Sequence, residues 1–144
     1  MIRIPSSLLR EIHGYMEAAY PHECCGVLMG HVVDGVRVVE TCRPVANLNT
    51  ERAHDRYDMD LKAVVRYQRE LYPLDIVGFY HSHPDHPSRA SQTDADFAWA
   101  GCSYVIGSVQ KGTIASTQSW VLDETAAPKR CDEEQIEVVE GEMK

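Results

Sequence analysis

Apolar and polar positions change period along the chain, and the changes mark out its elements. Met1–Pro5 reads as a short edge strand closed by Pro5. Leu8, Ile12, Met16 and Ala19 then recur at helical spacing, which predicts a helix capped by Ser6 or Ser7 and running to about Ala19. Cys25–His31 is apolar on consecutive positions, as in a strand buried on both faces. Asp34-Gly35 turns it back into a second strand, Val36–Thr41.

From Cys42 to Arg56 the pattern dissolves into Pro, Asn, Thr and charges, a loop long enough to carry function. Tyr57–Met59 predicts a brief strand. Asp60 can cap a helix over Leu61–Tyr72 with Leu61, Val64, Val65 and Leu71 inward, and Pro73 ends it. Asp75–His81 is the next buried strand. Ser91 opens a third helix to about Ala100, stopped by Gly101. Strands at Ser103–Val109 and Thr113–Asp123 form a hairpin, a polar connection covers Glu124–Glu134, and a last strand lies at Gln135–Val139. No repeat or linker interrupts this order. The expectation is an α/β fold: one domain over 1–144, a mixed β-sheet flanked by helices.

Charge and cysteines narrow the function classes. Fourteen basic against 22 acidic residues give a net charge of −8, with acids crowded near the C-terminus. That argues against nucleic acid or an anionic membrane surface as the main partner. The five cysteines form no C-x-x-C pair, and the adjacent Cys24 and Cys25 cannot form an unstrained disulfide with each other. A reduced, cytoplasmic chain with buried thiols follows. The N-terminus carries charges too early for a signal peptide, and no apolar run approaches the roughly 20 residues that cross a bilayer.

The chemistry concentrates in Phe79–Asp94, FYHSHPDHPSRASQTD, which holds three of the seven histidines. In a strand, residues i and i+2 share a side, so His81 and His83 present two imidazoles together where Pro84 stops the strand. Two such nitrogens suit a tetrahedral metal, and the helix opening at Ser91 can supply Asp94 as a third ligand. Two His and one carboxylate leave a position for water, as in catalytic zinc sites; iron can use the same set. Ser91-x-x-Asp94 is also what a helix start looks like, a capping serine and an acid in the first turn. Both readings of Ser91 can hold. His81-Ser82-His83-Pro84-Asp85-His86 also fits the H-x-H-x-D-H motif of dinuclear metallo-β-lactamase-like hydrolases. No histidine follows His86, however, and only 58 residues remain. A cupin lacks its later ligands here.

His-Ser-His-Pro followed by Ser-x-x-Asp, with ten residues between His83 and Asp94, resembles the JAMM/MPN+ zinc metallopeptidase family. Pro21-x-Glu23-x-Cys25-Gly26 and Gly78-Phe79-Tyr80 match the same family, and the likeness runs from the first helix to the hairpin after Gly101. The resemblance implies a cytidine-deaminase-like fold and one zinc per chain held by His81, His83 and Asp94. It implies Glu23 as general base and Ser91 as donor to the developing oxyanion. From residue type alone, Glu23 would be a solvated surface acid. His22 and His86 are rim residues and Cys25 a packing residue. The compact chain is similar to small prokaryotic members that act at the Gly-Gly tail of ubiquitin-like sulfur carriers, an extended tail that can pair with a sheet edge and thread a narrow groove. Alternatives are a broader desampylase-like isopeptidase and a non-catalytic MPN scaffold. RadC-like relatives share the His motif, but this chain lacks their DNA-binding region.

Overall fold

Strand β1 (Ile2–Pro5) passes without a loop into helix α1 (Ser6–Ala19), and the computed structural model describes residues 1–140. The strand is paired through Pro5, opposite Val139, so no residue is left between strand and helix. Pro5 therefore sits at the N-cap position, and the expected serine cap does not form. Leu8, Ile12 and Met16 are the buried stripe of α1. The helix lies so close to the sheet that a Cβ at Gly107 would collide with Met16 Sδ. Each such side chain, once buried, contributes about 1.5–3 kcal/mol.

Strands β2 (Cys25–Val33) and β3 (Val36–Val45) form the expected hairpin across Asp34 and Gly35, both at positive φ. The remaining strands are β4 (Asp75–Pro84), β5 (Ser103–Gln110), β6 (Thr113–Asp123), β7 (Arg130–Glu134) and β8 (Ile136–Val139). They join one mixed sheet in the order β7-β6-β5-β4-β2-β3-β1-β8. β1 is thus an inner strand, parallel to both β3 and β8, and not the edge its shortness suggested. β3 runs four residues further than expected: it stays paired with β2 through Val45, and Cys42 and Val45 are buried on opposite faces of the sheet. β7 lies in the stretch expected to be a polar connection. Its RCDEE composition hides it, since charge is how an edge strand discourages further pairing.

Helix α1 covers one face of the sheet, over Leu28, Tyr80, Val105 and Val109. Helices α2 (Leu61–Glu70) and α3 (Gln92–Phe97) belong to the other, with Cys25, Val27, Phe79 and Tyr104. Asp60 caps α2 as expected, accepting from Lys62 N–H. The helix is rotated from the predicted face: Ala63 and Val64 are buried, while Leu61 and Val65 are exposed. Tyr67 explains the rotation, packing partly against this core and donating its hydroxyl to the Pro44 carbonyl. α3 ends at Phe97 rather than near Ala100, because the Trp99 N–H donates to the Tyr104 hydroxyl instead of continuing the helix.

Candidate metal centre

The central strand β4 carries the site. A bulge opposite Leu28 and Met29 leaves Val77 unpaired and resets the alternation, so Tyr80 faces α1 while Phe79 faces α2 and α3. His81 and His83 keep the phase of Phe79. Their Nε2 atoms stand 3.2 Å apart. His83 donates Nδ1–H to the Pro87 carbonyl at 2.8 Å, which assigns the bare nitrogen to Nε2. His81 is wholly buried, and Tyr57 stacks on its ring with centroids 4.5 Å apart.

Asp94 completes a triangle. Its two carboxylate oxygens lie 3.2 Å from His81 Nε2 and 3.2 Å from His83 Nε2. The expected helix start is what aims it. Ser91 Oγ accepts from Asp94 N–H at 3.0 Å, and the Asp94 carboxylate accepts from Ser91 N–H at 2.8 Å. The capping box thus points the carboxylate at the imidazoles. A tetrahedral ion bound at about 2.0–2.1 Å sets its ligand atoms about 3.3–3.4 Å apart, close to the Nε2–Nε2 separation and to each Nε2–carboxylate contact seen here. The residues fit a metal.

Glu23 also lies beside the two imidazoles. It is buried, 8% exposed, where surface exposure was expected from residue type. A carboxylate oxygen lies within 4.8 Å of both imidazoles, yet Glu23 is not among the ion pairs of the described residues. Its backbone is fixed on both sides: Glu23 N–H donates to the Ala53 carbonyl, and Asn47 Nδ2 donates to the Glu23 carbonyl at 3.0 Å. Asn47 also donates to the Arg56 carbonyl and accepts from Asp58 N–H, folding the 46–60 loop against the site. Ser82, between the two histidines, receives Cys24 N–H on its Oγ and gives its own N–H to the Cys24 carbonyl. Sequence reasoning missed Asn47, Ser82 and Tyr57. The length of the loop was the one available signal.

The two carboxylates sit in opposite electrostatic states. Burial raises the Glu23 carboxyl to about 7, with Asp94 adding to the rise and His83 opposing it. Burial also penalises charge on Asp94, but the imidazoles and the Ser91 N–H outweigh it and hold that carboxyl well below the usual range. Burial lowers His81. At His83, hydrogen bonds to Asp94 and Pro87 overcome burial and raise it.

The centre opens into a cleft of about 1070 Å³ that Ser91 lines beside Glu23, His83 and Asp94. Leu61, Phe97 and Trp99 form an exposed apolar wall. Asp85 is turned away: it accepts from the Tyr20 hydroxyl at 2.6 Å and from Lys111 N–H at 2.8 Å. It ties the end of β4 to the β5–β6 hairpin. His86 lines the cleft, and its carbonyl accepts from Ser108.

This arrangement has relatives. The profile of prokaryotic homologs of the JAB domain matches residues 5–123. The chain belongs to this prokaryotic JAB family, small JAMM/MPN metallopeptidases. It is 36% identical over 107 residues to a desampylase of Haloferax volcanii, covering 72% of this chain and 73% of that protein. A solution structure from Salinibacter ruber superimposes with a TM-score of 0.73 at 34% identity, covering 95% of this chain and 91% of that one. One from Desulfitobacterium hafniense gives 0.81 at 27% identity, covering 98% and 94%. A JAB1/MPN domain protein of Archaeoglobus fulgidus shares the fold at 20% identity, with a TM-score of 0.62 over 96% and 99% of the chains. In this chain the end of β4 and the start of α3 come together where His81, His83 and Asp94 meet. Among the described residues, no helix is long and apolar enough to cross a membrane.

Proposed function

We propose that the chain hydrolyses a peptide or isopeptide bond at the C-terminal tail of a ubiquitin-like protein, a sulfur carrier in the leading reading. His81, His83 and Asp94 would hold one zinc ion. The observation that carries this is the pair of Nε2 atoms 3.2 Å apart, each 3.2 Å from one oxygen of Asp94, with a Glu23 carboxylate oxygen within 4.8 Å of both imidazoles. The desampylase relative supports a ubiquitin-like tail as the substrate class.

Zinc, when bound, supplies a Lewis acid and a water acidic enough to ionise near neutral pH. The chain's residues do the rest. Glu23 takes the proton of the attacking water and delivers it to the leaving amine, a task suited to a carboxyl held near 7. Ser91 Oγ already accepts from Asp94 N–H, so its own hydrogen remains to donate to the oxyanion that develops on the scissile carbonyl. Asp94 keeps its charge. An extended Gly-Gly tail suits a cleft whose floor is a central strand. The sheet's edges are β7 and β8, so edge pairing beside β4 is not part of this proposal.

Mass spectrometry of a ubiquitin-like tail carrying a C-terminal cysteine tests the reading, with zinc-loaded wild type and Glu23→Gln in parallel. Cleavage after the Gly-Gly in wild type alone is expected. Absence of metal-dependent cleavage of any ubiquitin-like tail, linear or lysine-linked, would leave the non-catalytic scaffold as the better account.

A further inference from the structure

The cleft of this acidic chain carries two arginines, Arg56 and Arg89, that join no ion pair among the described residues. Arg52 is paired with Asp55 across two hydrogen bonds. Arg56 is different. It is half-buried, its Nη1 donates to the Thr93 hydroxyl at 2.5 Å, and it joins no ion pair among the described residues. Arg89, exposed on the same cleft, makes neither a hydrogen bond nor an ion pair among the described residues.

A guanidinium has five N–H donors in a fixed fork, and a single hydroxyl satisfies one of them. The charge of Arg56 is felt by Asp55 and Glu23, but neither carboxylate accepts a hydrogen bond from it, so most of its donors stay open. The remaining donors match a planar anion, a carboxylate above all. Position narrows the choice. Thr93 directly precedes Asp94, so Arg56 stands against the centre. Its charge also acts on Glu23. In the reaction proposed above, the part of the substrate nearest the centre beyond the scissile bond is the leaving amine. When that amine belongs to a single amino acid, a free α-carboxylate follows one carbon later. When it belongs to a lysine side chain inside a protein, no charge lies there.

We infer that Arg56, supported by Arg89, receives the α-carboxylate of the leaving residue, so that the preferred substrate is a ubiquitin-like tail extended by one amino acid rather than one joined to a lysine. This inference rests on the function proposed above and selects among its substrates. Hydrolysis breaks one C–N bond, adds one water, and yields the tail carboxylate and a free amino acid, with no redox partner required. Thr93 would steer the fork as a hydrogen-bond acceptor, with no part in the chemistry.

The test uses one tail peptide in three forms: ending Gly-Gly-Cys with a free carboxylate, the same with a C-terminal amide, and Gly-Gly linked to a lysine side chain. Zinc-loaded wild type is expected to favour the acid over the amide by about 10- to 100-fold in kcat/KM, the usual span for a charge-assisted contact. Arg56→Gln should bring that ratio close to one, and Arg89→Gln should lower it by less. A purely structural role for Arg56 would instead slow all three peptides equally and leave the ratio unmoved. That result, or a wild-type ratio near one, overturns the inference while the proposed function stands. Binding of acid and amide to zinc-loaded Glu23→Gln gives a second reading without turnover. If no form is cleaved, the proposed function fails, and the binding ratio alone decides whether Arg56 holds a carboxylate.

Discussion

Asp94 and Glu23 both lie beside the His81 and His83 imidazoles, and the chain treats them in opposite ways. Asp94 begins a short helix, accepts from the Ser91 N–H and lies 3.2 Å from the Nε2 atoms of both His81 and His83. Glu23 lies in the irregular segment between α1 and β2, and among the described residues no donor reaches its carboxylate. One is held charged; the other is left near neutrality by burial. Two carboxyls pushed apart in this way divide the labour of a site between a fixed anion and a proton carrier. The difference lies in hydrogen-bond donors rather than in depth.

Two isosteric substitutions break that division most sharply. Glu23→Gln should lower kcat by about 10²- to 10⁴-fold, the usual contribution of a general base, while each chain still binds one zinc. Asp94→Asn should lose the zinc along with the activity, because an amide brings no charge to the two imidazoles. Elemental analysis of both dialysed variants, read beside kcat, separates the roles. Zinc lost from Glu23→Gln but retained by Asp94→Asn would reverse the assignment.

Ser91 comes next, because it serves both sides of the comparison. Ser91→Ala removes the cap that aims Asp94, which costs about 1 kcal/mol of stability. It also removes the hydroxyl donor, and losing an oxyanion donor lowers kcat by about 10²- to 10³-fold. Thermal unfolding and kcat should therefore both move. A change in stability with kcat intact would confine Ser91 to the cap.

The Asp94 half of the site was legible in the letters and the Glu23 half was not, for a physical reason. His81, His83, Ser91 and Asp94 belong to regular elements, where alternation along a strand and the three-residue offset of a capping box are fixed by backbone geometry. Glu23 reaches the site through contacts of long separation: Cys24 with Ser82, and the Glu23 backbone with Asn47 and Ala53. Nothing in residue type announces those, and only likeness to a family singled out Glu23. The fold divides the same way. Strongly periodic segments such as α1 and β6 were plain. The charged edge strand β7 was not, because Glu134 is half-buried against Ser119, the N-terminus and Arg37 rather than by apolar packing.

Asn47→Ala probes the less legible half directly. It strips donors from the Glu23 and Arg56 carbonyls and an acceptor from Asp58 N–H. Misplacing a reacting group by about an ångström slows a reaction by up to about 10²-fold, and partial loosening of this loop should give about 10-fold. Zinc content should be unchanged, because His81, His83 and Asp94 do not depend on Asn47. A loss of zinc in this variant would mean that the loop and the metal half are not separable.

The smallest effect tests the cause assigned to Glu23. If burial without a donor is what raises its carboxyl, the same surroundings should act on Cys25, which pairs with His81 across the sheet. Burial raises that thiol to about 12, with Cys24 and Glu23 adding to the rise. A raised value means less thiolate at a given pH, about one part in 10⁴ at pH 8, and the thiolate is the species that alkylates. Cys102 and Cys131, only half-buried, are raised to a lesser degree. Iodoacetamide at pH 8 on the native protein should modify Cys102 and Cys131 first and leave Cys25 untouched until the pH approaches 12 or the chain unfolds. Peptide mapping over a pH series reads the order. Early labelling of Cys25 in the folded chain would mean that water reaches this side of the site, and the explanation given for Glu23 would fall with it.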